Sequence, residues 1–405
     1  MQRPSGPLAS NYGYSAFTAL VTLLLVPLYV QLLGGAWGQL AICLTVQGLL
    51  FLADGTLSPL VLRDAARTHA ASAWPEYRRF LRWYGAIAIA LFLLGQAALL
   101  VGRQSIDAEL LPSLRIALLQ FVFQFANGAA IAFLIGRGRQ REANVRLVAF
   151  AVAKHGAALS LLLFVPTATA YLAAFAAISA IEFVANHRRL RGERRASGAA
   201  TAAAIDAGRG TALFVGASAL GLMAGQIDRV YLALTQPVAR YGVYYLVGSV
   251  LLSLLSLQVP AARTFLPLIA TSERPHAVAA SMLRVLAVTI IMPAIVTALF
   301  ARTLLTLWLH DAAIAAEGAP VLRLLMLALV MNALYAPAGM LLVHAHRYAA
   351  IGAMNAAILA SQAIVLYAST PYVDILAGAF SWLACGVIQL IVAIGVWHHQ
   401  RGAIR

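Results

Sequence analysis

The sequence predicts an all-α polytopic membrane protein, about twelve transmembrane helices in two six-helix bundles, and three observations predict it. Hydrophobic residues make up 62% of the 405 and charged ones 11%, with a mean hydropathy of +0.84, a balance outside the range of soluble globular chains. The length accommodates about twelve helices of ~20 residues with short links, leaving no soluble domain over. The charge, finally, is sided. Of 29 basic residues, 22 fall in segments on the side taken as cytoplasmic, 5 on the other, and 2, Lys154 and Arg229, within spans. That asymmetry is the positive-inside pattern for an even number of spans with both termini cytoplasmic. The formal charge of +15 is thereby assigned to the membrane surface, and no nucleic acid is expected.

Taken in order, apolar runs bounded by charge, Gly or Pro give spans near 10–33, 37–60, 82–102, 112–135, 145–165 and 168–187. The basic, then Ala/Ser/Gly-rich stretch 188–210 is expected to be a cytoplasmic linker. Further spans lie near 211–235, 240–262, 281–308, 319–343, 349–368 and 375–397. The domains so defined are an N-terminal bundle 1–187, the linker 188–210 and a C-terminal bundle 211–405. An even count per half sets the two the same way up, as parallel repeats. A faint repeat supports this: Trp37-Gly38 and Tyr241-Gly242 each open a span after a short turn.

The first apolar run, from about Leu8 to Leu33, exceeds a signal h-region, so no cleaved signal is expected. Short loops and the missing signal together favour a bacterial inner membrane. Cys43 and Cys385 both fall within spans, so neither a disulfide framework nor a metal site is expected. There is no GxxxxGK[ST] phosphate loop, which excludes ATP hydrolysis by the chain itself. No external loop exceeds roughly a dozen residues, whereas enzymes that join or polymerise glycans outside the membrane generally need a substantial external loop or domain.

Polar residues inside the spans carry the functional signal. Gln120, Gln124 and Asn127 stand at i, i+4 and i+7 on one helical face, Ser179, Glu182 and Asn186 share a face at i, i+3 and i+7, and Ser249, Ser253 and Ser256 line another with Arg263 two turns on. Gln47 with Asp54, and Asn355 with Gln362, repeat the i, i+7 spacing. Lipid satisfies none of these groups, so each stripe faces either other helices, as hydrogen-bonding glue, or a wet central cavity. Stripes in several spans of each half favour the cavity.

The ionisable residues point more sharply. Lys154 lies eight residues beyond Arg146, about 12 Å along a helix; it either snorkels to the interface or serves the lumen. Asp54 and Glu182 lie near the cytoplasmic boundary, on a solvated rim or inside it. Asp228 and Arg229, about 27 Å past Thr211, either pair at the far rim or, pointing ~100° apart, serve different partners. Charge this deep in hydrocarbon is expensive and marks function by default. The terminal histidines are expected to be solvated, and His155 is a weaker proton-relay candidate.

At this point the sequence resembles a known family. LLGGAWGQLAICLTVQGLLFLADGTLSPLVLRDAART (32–68) resembles the start of Wzx-type polysaccharide (O-antigen or exopolysaccharide repeat-unit) flippases, with an aromatic-Gly turn, an Asp-Gly and an Arg near the end of the second span. QIDRVYLALTQPVARYGVYY (226–245) resembles the family's seventh-span signature. Two departures stand out: Gln236-Pro237 replaces a usual turn glycine, and the first span has no Arg. The resemblance covers essentially the whole chain. It implies the MOP exporter superfamily with its MATE-like fold, and movement of an undecaprenyl-pyrophosphate-linked oligosaccharide from the cytoplasmic to the periplasmic leaflet for polysaccharide biosynthesis, lipopolysaccharide O-antigen included. Polysaccharide polymerase and glycosyltransferases become the implied partners.

The expected substrate-binding residues are Lys154, Arg229 and Arg263 for pyrophosphate, with Arg63 through its match to the family's second-span Arg. Gln120, Gln124, Asn127, Ser249 and Ser253 would bind sugar. Asp54, Glu182 and Asp228 are the candidates for coupling to a proton or sodium gradient. No catalytic residue and no cofactor is expected. A multidrug or small-solute antiporter of the same architecture is the nearest alternative. A membrane-embedded glycosyltransferase or glycan polymerase is the alternative from another class.

Overall fold

The computed structural model describes residues 5–67, 73–104, 106–192 and 209–401. Among these no strand occurs, and ten segments are long and apolar enough to cross a membrane. In lipid the helix is the one open-chain structure that satisfies its own backbone, which is why apolar composition and helical content go together here. The chain divides into two compact units, residues 29–208 and residues 1–28 with 209–405.

The 29–208 unit takes the end of α1 (Ser5–Leu33), then α2 (Ala36–Leu50), α3 (Leu52–Arg67), α4 (Ala73–Val101), α5 (Leu110–Gly136), α6 (Gln140–Leu162) and α7 (Ala168–Arg191). Helix α5 lies at its centre, touching α2, α3, α4, α6 and α7. Its face of Ala117, Ala126, Ala129, Ala130 and Ala132 is buried, and small residues let backbones approach where no hydrophobic effect draws helices together. At Gly136 the approach is closest: a Cβ there would stand 2.7 Å from the Leu62 carbonyl oxygen of α3. Phe121, Phe125, Phe133, Tyr77, Phe80 and Tyr84 fill the remaining core between α4 and α5.

The second unit holds α8 (Arg209–Ala224), α9 (Ile227–Thr235), α10 (Val238–Ser256), α11 (Gln258–Thr271), α12 (Pro275–Leu286), α13 (Met292–Leu299), α14 (Ala301–Leu309), α15 (Ala312–His344), α16 (Tyr348–Val373) and α17 (Leu376–Arg401). Helix α15 is its axis, packed on α10 to α14 and on α17. Between α12 and α13 a π-helical turn spans Ala287–Ile291; Pro293 follows at once and removes a donor from the ladder, a usual cause of such an irregularity. Trp308 donates its ring N–H to the Leu23 carbonyl, fastening α1 to α14.

Two sequence expectations change in detail. The span expected as one run over 211–235 is broken at Gly225–Gln226 into α8 and α9, and α9 is only nine residues long. The segment 188–210 is still helical through Arg191 at its start and helical again from Arg209; its residues 193–208 lie outside the described residues. Around both units large apolar side chains stay exposed, Leu94, Phe164 and Leu234 among them, as a lipid-facing surface requires.

Candidate functional site

Each unit contains a buried polar centre, and each is built from spans that the sequence marked. In the 29–208 unit the centre joins α5, α6 and α7. The Lys154 ammonium sits 2.6 Å from Glu182 Oε2, with side-chain exposures of 12% and 2%. Asn127 Nδ2 donates to Glu182 Oε1 at 2.8 Å, Asn186 Nδ2 to Asn127 Oδ1 at 2.8 Å, and Arg146 Nη1 to Asn186 Oδ1 at 2.8 Å. The i, i+4 spacing of Glu182 and Asn186 puts both on the face of α7 that meets Asn127 of α5. The result is one directed chain of donors, running from Arg146 through two amides to a carboxylate that Lys154 closes from the other side. Charge-assisted bonds in a low dielectric hold such a network tightly.

Lys154 therefore neither snorkels outward nor stands free in water. An intramembrane carboxylate one helix away offers more than the distant interface, and the amine takes it. Glu182 likewise leaves the solvated rim that its sequence position allowed, because the α5–α7 contact buries it.

The other residues singled out in this unit are placed as follows. Gln120 accepts from Gln47 Nε2 at 2.9 Å and donates to Gln124 Oε1 at 3.1 Å, so this amide stripe acts as helix glue, with Gln124 half-buried at its end. Asp54 accepts from the Tyr84 hydroxyl at 2.8 Å and lies against Gly128, where a Cβ would come within 2.9 Å of Asp54 Oδ1. His155 bonds the Tyr29 hydroxyl through Nδ1 at 2.8 Å, apart from the Lys154 network. Arg63 and Arg263 lie on α3 and α11, and their side chains fall outside the described residues.

In the second unit the centre sits where α8 gives way to α9. Asp228, in the first turn of α9, is 1% exposed; its Oδ2 accepts from the Tyr244 hydroxyl of α10 and from Trp382 Nε1 of α17 at 3.0 Å. Its Oδ1 is buried and has no hydrogen-bond partner among the described residues, as is also true of Gln226 Oε1 at the break. Arg229 turns elsewhere: Nη2 reaches the Gly248 carbonyl at 3.4 Å and the guanidinium covers the Tyr245 ring at 5.1 Å. Adjacent residues thus serve different partners, as their ~100° separation on a helix requires. A carboxylate with one oxygen doubly held and one unheld, at a helix N-terminus, is a fixed acceptor for a proton or cation.

The serine stripe differs from expectation. Ser249, Ser253 and Ser256 donate to the carbonyls of Leu246, Ser249 and Ser253 in their own helix. Hydroxyls in helices back-bond in this way wherever nothing better is in reach, so the stripe offers acceptors but no free donor to a sugar.

No family model matches the chain, and no curated protein sequence does either. Solved structures do match over its whole length. A MATE transporter from Vibrio cholerae is similar with a TM-score of 0.65 at 13% identity, covering 100% of this chain and 98% of that one. A MOP-superfamily transporter from Pyrococcus furiosus matches with 0.62 at 15% identity, covering 98% and 94%. A MATE protein in complex with MaD3S matches with 0.63 at 16% identity, covering 99% of each. The fold is that of the MATE and MOP-superfamily transporters. At such identities the likeness is one of backbone and does not extend to the side chains of the two polar centres.

Sequence reasoning missed several members of these centres. Tyr244 and Trp382 carry no signal in the sequence, and only their meeting with Asp228 gives them a role. A second amide chain, Gln258 to Asn332 at 2.9 Å and Asn332 to Gln389 at 3.0 Å, ties α11, α15 and α17. Its signal was present, one amide in each of three apolar runs, but single residues form no stripe.

Proposed function

We propose that this protein is a flippase that carries an undecaprenyl-pyrophosphate-linked oligosaccharide from the cytoplasmic to the periplasmic leaflet by alternating access, in a bacterial inner membrane with both termini cytoplasmic. The observation that carries the proposal is the Lys154–Glu182 pair set among Asn127 and Asn186: a buried cation wrapped in amides, in a chain that also buries Arg229. Sugar hydroxyls crossing hydrocarbon without partners cost several kcal/mol each, and amides supply both donors and acceptors. A pyrophosphate needs cations, and Lys154 and Arg229 are two that lie well buried within spans. The sequence resemblance at 32–68 and 226–245 points the same way. An inside-negative potential would favour the outward movement of an anion by ~2.3 kcal/mol per charge per 100 mV, and Asp54, Glu182 or Asp228 would couple it to protons or sodium. Polymerase and glycosyltransferases would act on the same lipid-linked unit before and after it crosses.

A second reading, a multidrug or small-solute antiporter, draws on Asp228, where an unpaired carboxylate oxygen beside Tyr244 and Trp382 suits a cationic guest. The Pyrococcus furiosus relative, described as having a binding pocket of reversed polarity and a different suggested function, illustrates how charge can divide proteins of this fold. The deciding experiment is proteoliposome transport with a fluorescent lipid-linked oligosaccharide and, separately, a cationic dye. Flipping of the lipid, lost on Lys154→Met with Glu182→Gln, which leaves no buried charge unpaired, supports the flippase. Dye efflux without lipid movement overturns it in favour of the antiporter, and polymer made from purified lipid-linked repeats would indicate an enzyme.

A further inference from the structure

The turn joining α5 to α6 holds a feature unused by the buried centres. Gly138, at φ +76°, lets the chain reverse tightly there, and an open cavity of about 540 Å³ lies beside it, lined by Arg139, Arg141, Glu142, Val145 and Arg146. Glu142 is the hub of this wall. Arg139 Nε reaches it at 2.8 Å, Arg189 Nε at 3.1 Å and Arg146 Nε at 3.5 Å. One carboxylate orients three guanidinium groups and neutralises one of them, so the wall keeps an excess of positive charge. Arg141 is exposed and has no partner among the described residues. Forked, planar guanidinium groups gathered at one concave place match the tetrahedral oxygens of a phosphate.

The cavity continues into an apolar track. Val145, on its wall, is 61% exposed, and Ala149 and Val152 follow at i+4 and i+7 on the same face of α6, both exposed. In a span that face meets acyl chains. An inorganic anion would use the arginines and ignore the track, whereas a lipid with a phosphate headgroup uses both. We propose that this cavity binds the phosphate headgroup of an anionic membrane lipid, with its acyl chains laid along Val145, Ala149 and Val152. The proposal stands independently of the transported substrate. Because Arg146 belongs both to this wall and to the bond with Asn186, the lipid sits against the first member of the chain that leads to Glu182 and Lys154.

The test uses the full chain, purified and placed in nanodiscs of phosphatidylcholine, then titrated with phosphatidylglycerol while bound lipid is counted by native mass spectrometry. Arg141→Ala is expected to weaken phosphatidylglycerol binding about fivefold, and Arg139→Ala with Arg141→Ala about 25-fold, the worth of one and two basic side chains at a membrane surface. Arg141, with no partner among the described residues, is a position where the structure tolerates substitution. Arg302→Ala, exposed on α14, should change nothing. The proposal is overturned if Arg302→Ala weakens binding as much, or if phosphatidylglycerol binds no tighter than phosphatidylcholine. It is equally overturned if inorganic phosphate displaces the lipid as readily as phosphatidylglycerol does, since the site would then read a free anion.

Discussion

Removing the Lys154 amine should unsettle the 29–208 unit far more than removing both charges of its pair. In Lys154→Ala, Glu182 keeps one donor, Asn127 Nδ2 at 2.8 Å, and remains 2% exposed, an ionised carboxylate in the interior without a counter-charge. Breaking a buried pair from one side costs about 3–5 kcal/mol, most of it the penalty on the abandoned partner. In the double variant Lys154→Met with Glu182→Gln, the amide still accepts from Asn127 and no charge is left unpaired, so the loss should stay within about 1 kcal/mol. The single variant Glu182→Gln falls between, because Lys154 retains some solvent contact and an amide oxygen to bond. Denaturant-induced unfolding in lipid–detergent micelles, read as a double-mutant cycle whose lysine single is Lys154→Met, measures the coupling directly. A Lys154→Ala variant as stable as the parent, or a double variant whose loss is the sum of the two singles, would refute the reasoning by showing that the pair is already hydrated.

Other consequences can be checked alongside. Gly378→Ala would bring a Cβ within 2.5 Å of the Tyr244 ring and push that hydroxyl off Asp228; a loss of about 1–3 kcal/mol is expected from overpacking, read in the same unfolding assay. Gly136→Val meets backbone rather than a movable side chain, the Leu62 carbonyl at 2.7 Å, so α3 and α5 must separate; a loss at or above that 1–3 kcal/mol range is expected, with poor yield of folded protein. Asp228→Asn keeps acceptors for Tyr244 and Trp382 while removing a buried charge, so thermal stability should hold or rise while ion-driven transport in proteoliposomes falls at least tenfold; unchanged transport would remove Asp228 from coupling.

Much of this was legible in the sequence because the bilayer simplifies the problem. Apolar runs of span length leave the chain one secondary structure, and the i, i+4 and i+7 amide spacings placed Asn127, Glu182 and Asn186 on inward faces, where they do meet. Partner choice was not legible. Nothing in the local sequence of Lys154 names Glu182, 28 residues on, and the contact exists only because α6 and α7 pack together. The serine stripe was over-read, since a periodic hydroxyl looks identical whether it serves a ligand or its own helix. The break at Gly225–Gln226 was hidden for the opposite reason. A Gly-Gln step inside an apolar run resembles ordinary span interior until Asp228 is seen in the first turn of a new helix.

That break has a consequence for how the chain is made. Asp228 is translated long before Trp382, which follows it by 154 residues, and ribosomes add ~5–20 residues per second, an interval of about 8–30 s. Throughout that wait the carboxylate lacks one of its two donors, on a nine-residue helix too short to hold itself across the hydrocarbon by length. Insertion of this segment must therefore be completed by its later neighbours, and a nascent chain truncated before Trp382 should surrender residues 209–235 to the aqueous side more readily than one that extends past it.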